Sequence, residues 1–95
     1  NALALLTEAG VDAGAVFSTT DLDFIAGRAR QGGASRRQAV KAAAPEAVGK
    51  LEAFFERSVA ARAYAKAFRA KPELAASNGG KSLLVAYLLV DAALG

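Results

Sequence analysis

Histidine and cysteine are both absent from this chain of 95 residues. Without cysteine there is no disulfide framework, no thiolate nucleophile and no cysteine-based zinc site. Without histidine the commonest general base and the commonest transition-metal ligand are gone as well. Valine, isoleucine and threonine are few beside the many alanines, a balance that favours helix over sheet. No Asn-Gly or Asp-Gly pair joins two alternating runs, so the pattern holds no hairpin signal. The longest apolar run, Leu83 to Leu94 with Asp91 inside it, falls short of the roughly 20 residues that cross a bilayer. The first residues lack the basic leader of a secretion signal.

What remains is the composition of one small globular domain: 54% hydrophobic, 22% charged, net charge +3. A chain of this length buries only about 60–65% of its unfolded surface, enough for one modest core. Asn1 is not a residue before which an initiator methionine is normally removed. The chain is therefore read as one domain over 1–95 that is a fragment or processed piece of something longer, or that lacks its first residues.

Caps and breakers divide the chain into five or six helices. Ala2–Ala9 reads as a short apolar helix stopped by Gly10. Val11 to Ser18 has no period and reads as a loop. Thr20 is placed to cap a helix from Asp21 to about Gln31, with acids in its first turn and Arg28 and Arg30 in its last. Gly32-Gly33 ends it, and the Ser-x-x-Gln box of Ser35 and Gln38 predicts a further helix to about Ala44. Pro45 closes that helix and suits the first position of the next. The next is the longest expected element, about 46–70, with Val48, Leu51, Phe55 and Val59 on one stripe and Phe54 beside it. After "PELAAS" and the Asn78-Gly79-Gly80 turn, a last helix over about 82–94 is apolar nearly all round. The expected fold is an all-α bundle in which this last helix packs against the long one, Leu83, Leu84, Tyr87 and Leu88 meeting the Val48–Val59 stripe.

Charge is sorted along the chain. Glu8, Asp12, Asp21 and Asp23 precede the first base, whereas Arg28, Arg30, Arg36, Arg37 and Lys41 follow one another without an acid, as do Arg57, Arg62, Lys66, Arg69 and Lys71. Two strongly basic blocks therefore lie behind the modest net charge.

Three stretches invite a chemical reading. "AASNGGKS" over 75–82 satisfies the loose phosphate-loop pattern, but such a loop follows a buried strand and needs a second strand carrying a magnesium-holding acid. "KPELA" is no strand, so no nucleotide and no other cofactor is expected, and Ser82 or Gly80 reads as a helix cap. "SRRQAVKAAAPEAVGKLEAFF" has the outline of a helix-turn-helix, with Ala39 as the small residue at the crossing. Pro45 stands where a glycine turn is usual, and Glu46 opens the second helix where base-reading side chains belong. Arg62, Lys66 and Arg69 follow one side of the long helix at i, i+4, i+7. With Arg36 and Arg37 they form a candidate basic ridge for phosphates or for an acidic partner; a solvated face is the plainer alternative. Glu52 and Glu56 share a helix face without converging ligands, and Tyr64 and Tyr87 read as packing residues. No catalytic or metal-binding residue is identified, and the chain does not read as an enzyme.

The reading that ranks first is a non-catalytic assembly or protein-interaction module, such as a small subunit of a multi-subunit particle, a virion being one setting. Its expected contact surface is the last helix with its neighbour: Leu84, Tyr87, Leu88, Leu89 and Phe54. The alternative is a basic, helix-turn-helix-like module that binds nucleic acid.

Overall fold

The described residues of the computed structural model are 1–73 and 80–95. They form six helices in the order α1 (Ala2–Ala9), α2 (Thr19–Ala29), α3 (Gly33–Ala43), α4 (Pro45–Arg57), α5 (Val59–Arg69) and α6 (Gly80–Leu94). There is no strand among the described residues. The all-helical expectation is met, and several of the boundaries have a local cause.

The Asn1 side chain accepts a hydrogen bond from the Ala4 N–H at 2.8 Å and opens α1. Gly10, at φ 87°, closes it: its N–H and that of Val11 reach back to the Thr7 and Leu6 carbonyls. That is the left-handed stop available to glycine at little steric cost, and it turns Val11 into the core. At α2 the capping residue is Ser18 rather than the expected Thr20. Ser18 Oγ accepts from the Asp21 N–H at 3.1 Å, and Asp21 Oδ2 accepts from the Ser18 N–H at 3.0 Å. An Asp in the third position thus completes a box usually built with Glu or Gln.

The Ser35–Gln38 box does not form. Gly32 adopts φ 117°, ψ 172°, a conformation open essentially only to glycine, so α3 begins at Gly33, before Ser35 can cap it. Ala44 alone joins α3 to α4, and Pro45 takes the first position of α4 as expected.

The expected helix over 46–70 is two helices. Ser58 is extended (φ −132°, ψ 106°), and its Oγ accepts from the Ala61 N–H at 3.1 Å, the local hydrogen bonding by which serine competes with helix continuation. The break also answers a phase problem. α4 buries Val48, Leu51 and Phe55, whereas α5 buries Ala61, Ala65 and Phe68. At 100° per residue the second set lies roughly 100° round an unbroken helix from the first. Bending at Ser58 lets both sets face one core, and it leaves Val59, the last member of the expected stripe, 86% exposed.

α6 is the axis of the fold, packed against α1, α3, α4 and α5, while α2 packs against α3. This arrangement accounts for a helix apolar on nearly every side. Leu6, Val40, Leu51, Val85, Leu89 and Val90 are its fully buried neighbours and members. Phe68 meets Tyr87 edge to face at 6.1 Å. Leu51→Ala should cost about 2–5 kcal/mol, because the site is closed on all sides and relaxes little. Urea denaturation checks this; a loss well under 1 kcal/mol would place Leu51 outside a packed core.

Candidate functional site

Asp91 lies in the last turn of α6 and is 3% exposed. A lone carboxylate there is disfavoured twice, by burial and by the negative end of the helix dipole. Three arginines answer it. Arg36 Nη2 donates to Oδ2 at 2.7 Å, a charge-assisted hydrogen bond of full strength. Arg69 Nη1 stands 3.5 Å from Oδ1 and also donates to the Gly95 carbonyl at 3.2 Å, which offsets the helix end directly. Arg37 Nη1 is 3.6 Å from Oδ1, an ion-pair distance without a hydrogen bond. Arg36 further lies over the Tyr87 ring, 5.8 Å from its centroid, and its Nε is buried without a partner among the described residues. The two basic blocks of the sequence therefore meet in space on one acid. Three cations against one anion leave a local excess of two positive charges, with each arginine side chain about 30% exposed: 27%, 30% and 31%.

This splits the expected ridge. Arg36, Arg37 and Arg69 belong to the Asp91 cluster, tying α3 and α5 to α6. Arg62 and Lys66 do not join it. They line a groove on the elbow between α4 and α5, where two adjoining cavities of about 480 and 220 Å³ share Phe55, Glu56 and Arg62. The larger adds Val59, Ala63 and Lys66; the smaller adds Glu52 and the end of α6. Among the described residues the ion pairs are those of Asp91. Glu52, Glu56, Arg62 and Lys66 thus face one groove with both signs present and make none.

Compared with known proteins, the chain matches no family model, no curated protein and no solved structure.

The contact surface expected on the last helix is corrected by burial. Leu89 is 0% and Leu88 8% exposed, so both are core, and neither is available to a partner. The break at Ser58 brings α5 over α6 as a fourth neighbour and closes the face that a straight long helix would leave open. Tyr87 is half-buried beneath Arg36 and against Phe68. Phe54 is half-buried with the Arg57 guanidinium 5.9 Å from its ring centre. Leu84 alone of the five is open, at 43%. The "AASNGGKS" stretch lies mostly outside the described residues; Lys81 and Ser82 are exposed on the first turn of α6. The helix-turn-helix outline over α3 and α4 has the single residue Ala44 at its joint, which leaves no turn of the usual length. A further cleft of about 440 Å³ between the 10–16 loop and the α3–α4 joint is walled by alanines and valines, with Asp12, Glu46 and Lys50 at its edge. Lys50 there donates to the Gly10 carbonyl at 3.3 Å.

Two features depart from what the sequence pattern suggests. Val59 lies outside the core although it continues the apolar stripe, and Asp91 is a charge hub although no acid or base neighbours it in sequence. A signal for the second exists: an acid alone in an apolar helix needs a cation, and the two basic blocks are the available supply.

Proposed function

We propose that this chain is a non-catalytic helical module that works by associating with another protein surface, and that the contact is made at the α4–α5 elbow. One observation carries the reading. Val59 is 86% exposed at the first position of α5 and lines a cavity with Glu56, Arg62 and Lys66, which have no ion-pair partner within the described residues. A single exposed valine is ordinary on a protein surface; beside charges of both signs that line the same cavity it belongs to a surface suited to a complementary partner. A small subunit of a larger particle, a virion among the settings, is the role such a module fits.

A second reading, binding to nucleic acid, is favoured by the Asp91 cluster, whose excess of two positive charges suits backbone phosphates. Sedimentation velocity over a range of chain concentrations, repeated with duplex DNA at two salt concentrations, separates the two. Mass that rises with chain concentration alone, and falls back to monomer in Val59→Glu, supports association at the elbow. A complex that forms only with DNA and weakens steeply with salt supports the second reading.

A further inference from the structure

The Asp91 cluster holds one cation more than its acid can seat. Asp91 has two carboxylate oxygens, and each has its arginine: Arg36 Nη2 donates to Oδ2 at 2.7 Å, and Arg69 Nη1 stands 3.5 Å from Oδ1. Arg69 is engaged a second time at the Gly95 carbonyl. Arg37 has no such place. Its Nη1 is 3.6 Å from Oδ1, beyond hydrogen-bond reach. No other acid neutralises it: the ion pairs among the described residues are those of Asp91, and the stretch 74–79 contains no acid.

Arg36 and Arg37 also converge. Both guanidiniums lie against Gly33 at the start of α3, where a β-carbon would stand 3.2 Å from Arg37 Nη1 and 3.8 Å from Arg36 Nη2. Arg36 is held through Nη2 alone, its Nε being buried without an acceptor. The two side chains are 27% and 30% exposed. They are thus open to a ligand yet partly desolvated, and charge counts for more there than in free water.

We propose that the Arg36–Arg37 pair is a binding site for a phosphate dianion, either the free ion or a monoester. The surplus of two positive charges sets the charge of the ligand. The guanidinium forks set its shape, since a terminal phosphate has oxygens enough to accept from both. A carboxylate would cancel one charge only, and a nucleic-acid backbone brings one per phosphate. The first turn of α3, which no side chain caps, adds its positive dipole end beside the pair. The proposal goes beyond association at the elbow. It rests on the surplus charge that also favours the second reading, and it names the residues and a different ligand.

The test titrates the isotope-labelled whole chain with inorganic phosphate at about pH 8, where the dianion prevails, at constant ionic strength. The Nε–H resonances of Arg36 and Arg37 are the readout. Both should shift and saturate with phosphate, and neither should do so with sodium acetate. Arg37→Gln breaks only the 3.6 Å contact, and circular dichroism melts establish that it folds. It should bind phosphate on the order of tenfold more weakly or worse, because its charge-assisted hydrogen bonds are lost. Lys41→Gln, from the same basic block but outside the cluster, should bind as the wild type does. Saturation by glycerol phosphate as well assigns the site to monoesters; saturation by inorganic phosphate alone assigns it to the free ion.

Shifts that never saturate, that acetate reproduces, that survive Arg37→Gln, or that Lys41→Gln removes equally overturn the site. Duplex DNA separates it from the reading on which it rests. Phosphate binding without DNA binding keeps the site and ends the nucleic-acid reading. DNA binding that neither moves these resonances nor weakens in Arg37→Gln ends the site and leaves nucleic acid to the other bases.

Discussion

Leu89→Asp should unfold the domain, with a loss of more than about 4 kcal/mol. Leu89 is 0% exposed and lies on α6, the helix that α1, α3, α4 and α5 surround. The substitution removes an apolar side chain from a closed site and places a carboxylate there. The transfer and cavity terms of a buried leucine alone come to about 2–5 kcal/mol. An unpaired buried charge adds several more, or forces the new acid to take up a proton. A domain of this size lies toward the low end of the about 5–15 kcal/mol that native domains hold, so the combined loss matches or exceeds its whole stability and leaves a mostly unfolded chain at room temperature. Far-UV circular dichroism at neutral pH should show the helical signal collapsed or the urea midpoint near zero. A variant that stays folded with its stability intact would place Leu89 on the surface and would reopen α6 as a contact face.

Leu89 also shows where the sequence is legible and where it is not. The helices themselves are readable because their ends are written locally. Gly10 stops α1, and Pro45 opens α4. Both act through backbone conformations that one residue type prefers. Where two residues compete for the same cap, local pattern does not choose. Ser18 displaces Thr20 because Asp21 is placed to return its hydrogen bond, and the Gly32 conformation starts α3 before Ser35 can act.

The break at Ser58 is harder to see, because Val48, Leu51, Phe55 and Val59 continue one stripe. The informative sign is that the stripe turns basic at Arg62 while Ala61, Ala65 and Phe68 take over the apolar face. A straight helix cannot aim both faces at one core, so the phase shift itself marks the bend. Everything about the site depends on that bend: it exposes Val59, opens the groove between Glu56 and Arg62, and brings α5 over α6, so that Arg69 reaches Asp91. Such pairings over 22 and 55 residues of separation have no local signature. The lone acid in an apolar helix and the acid-free runs of the two basic blocks are what hint at them.

Asp91→Ala is the second substitution expected to be severe, at about 2–3 kcal/mol. The carboxylate is 4% exposed at the side chain, and it balances three cations that α3 and α5 bring to the end of α6. Breaking a fully buried ion pair costs about 3–5 kcal/mol through the charge left behind. Here the arginines are about one-third open to water, so part of that penalty is relieved by hydration, and the lower range applies. The three guanidinium groups also lose the anion that screens them from each other. The partners should rank by geometry. Arg36→Ala removes the 2.7 Å hydrogen bond and the stacking on Tyr87, so it should cost more than Arg69→Ala. Arg37→Ala, which breaks only a 3.6 Å contact, should cost well under about 1 kcal/mol, as exposed pairs do. The decisive comparison is D91L/R36M, which takes out acid and principal cation together. Its loss should be smaller than the sum of Asp91→Leu and Arg36→Met by about 1 kcal/mol or more, because each single change strands a charge that the double change removes. Additive losses in urea denaturation would mean that Asp91 and Arg36 act independently, and that the arginine cluster does not hold α3 against α6.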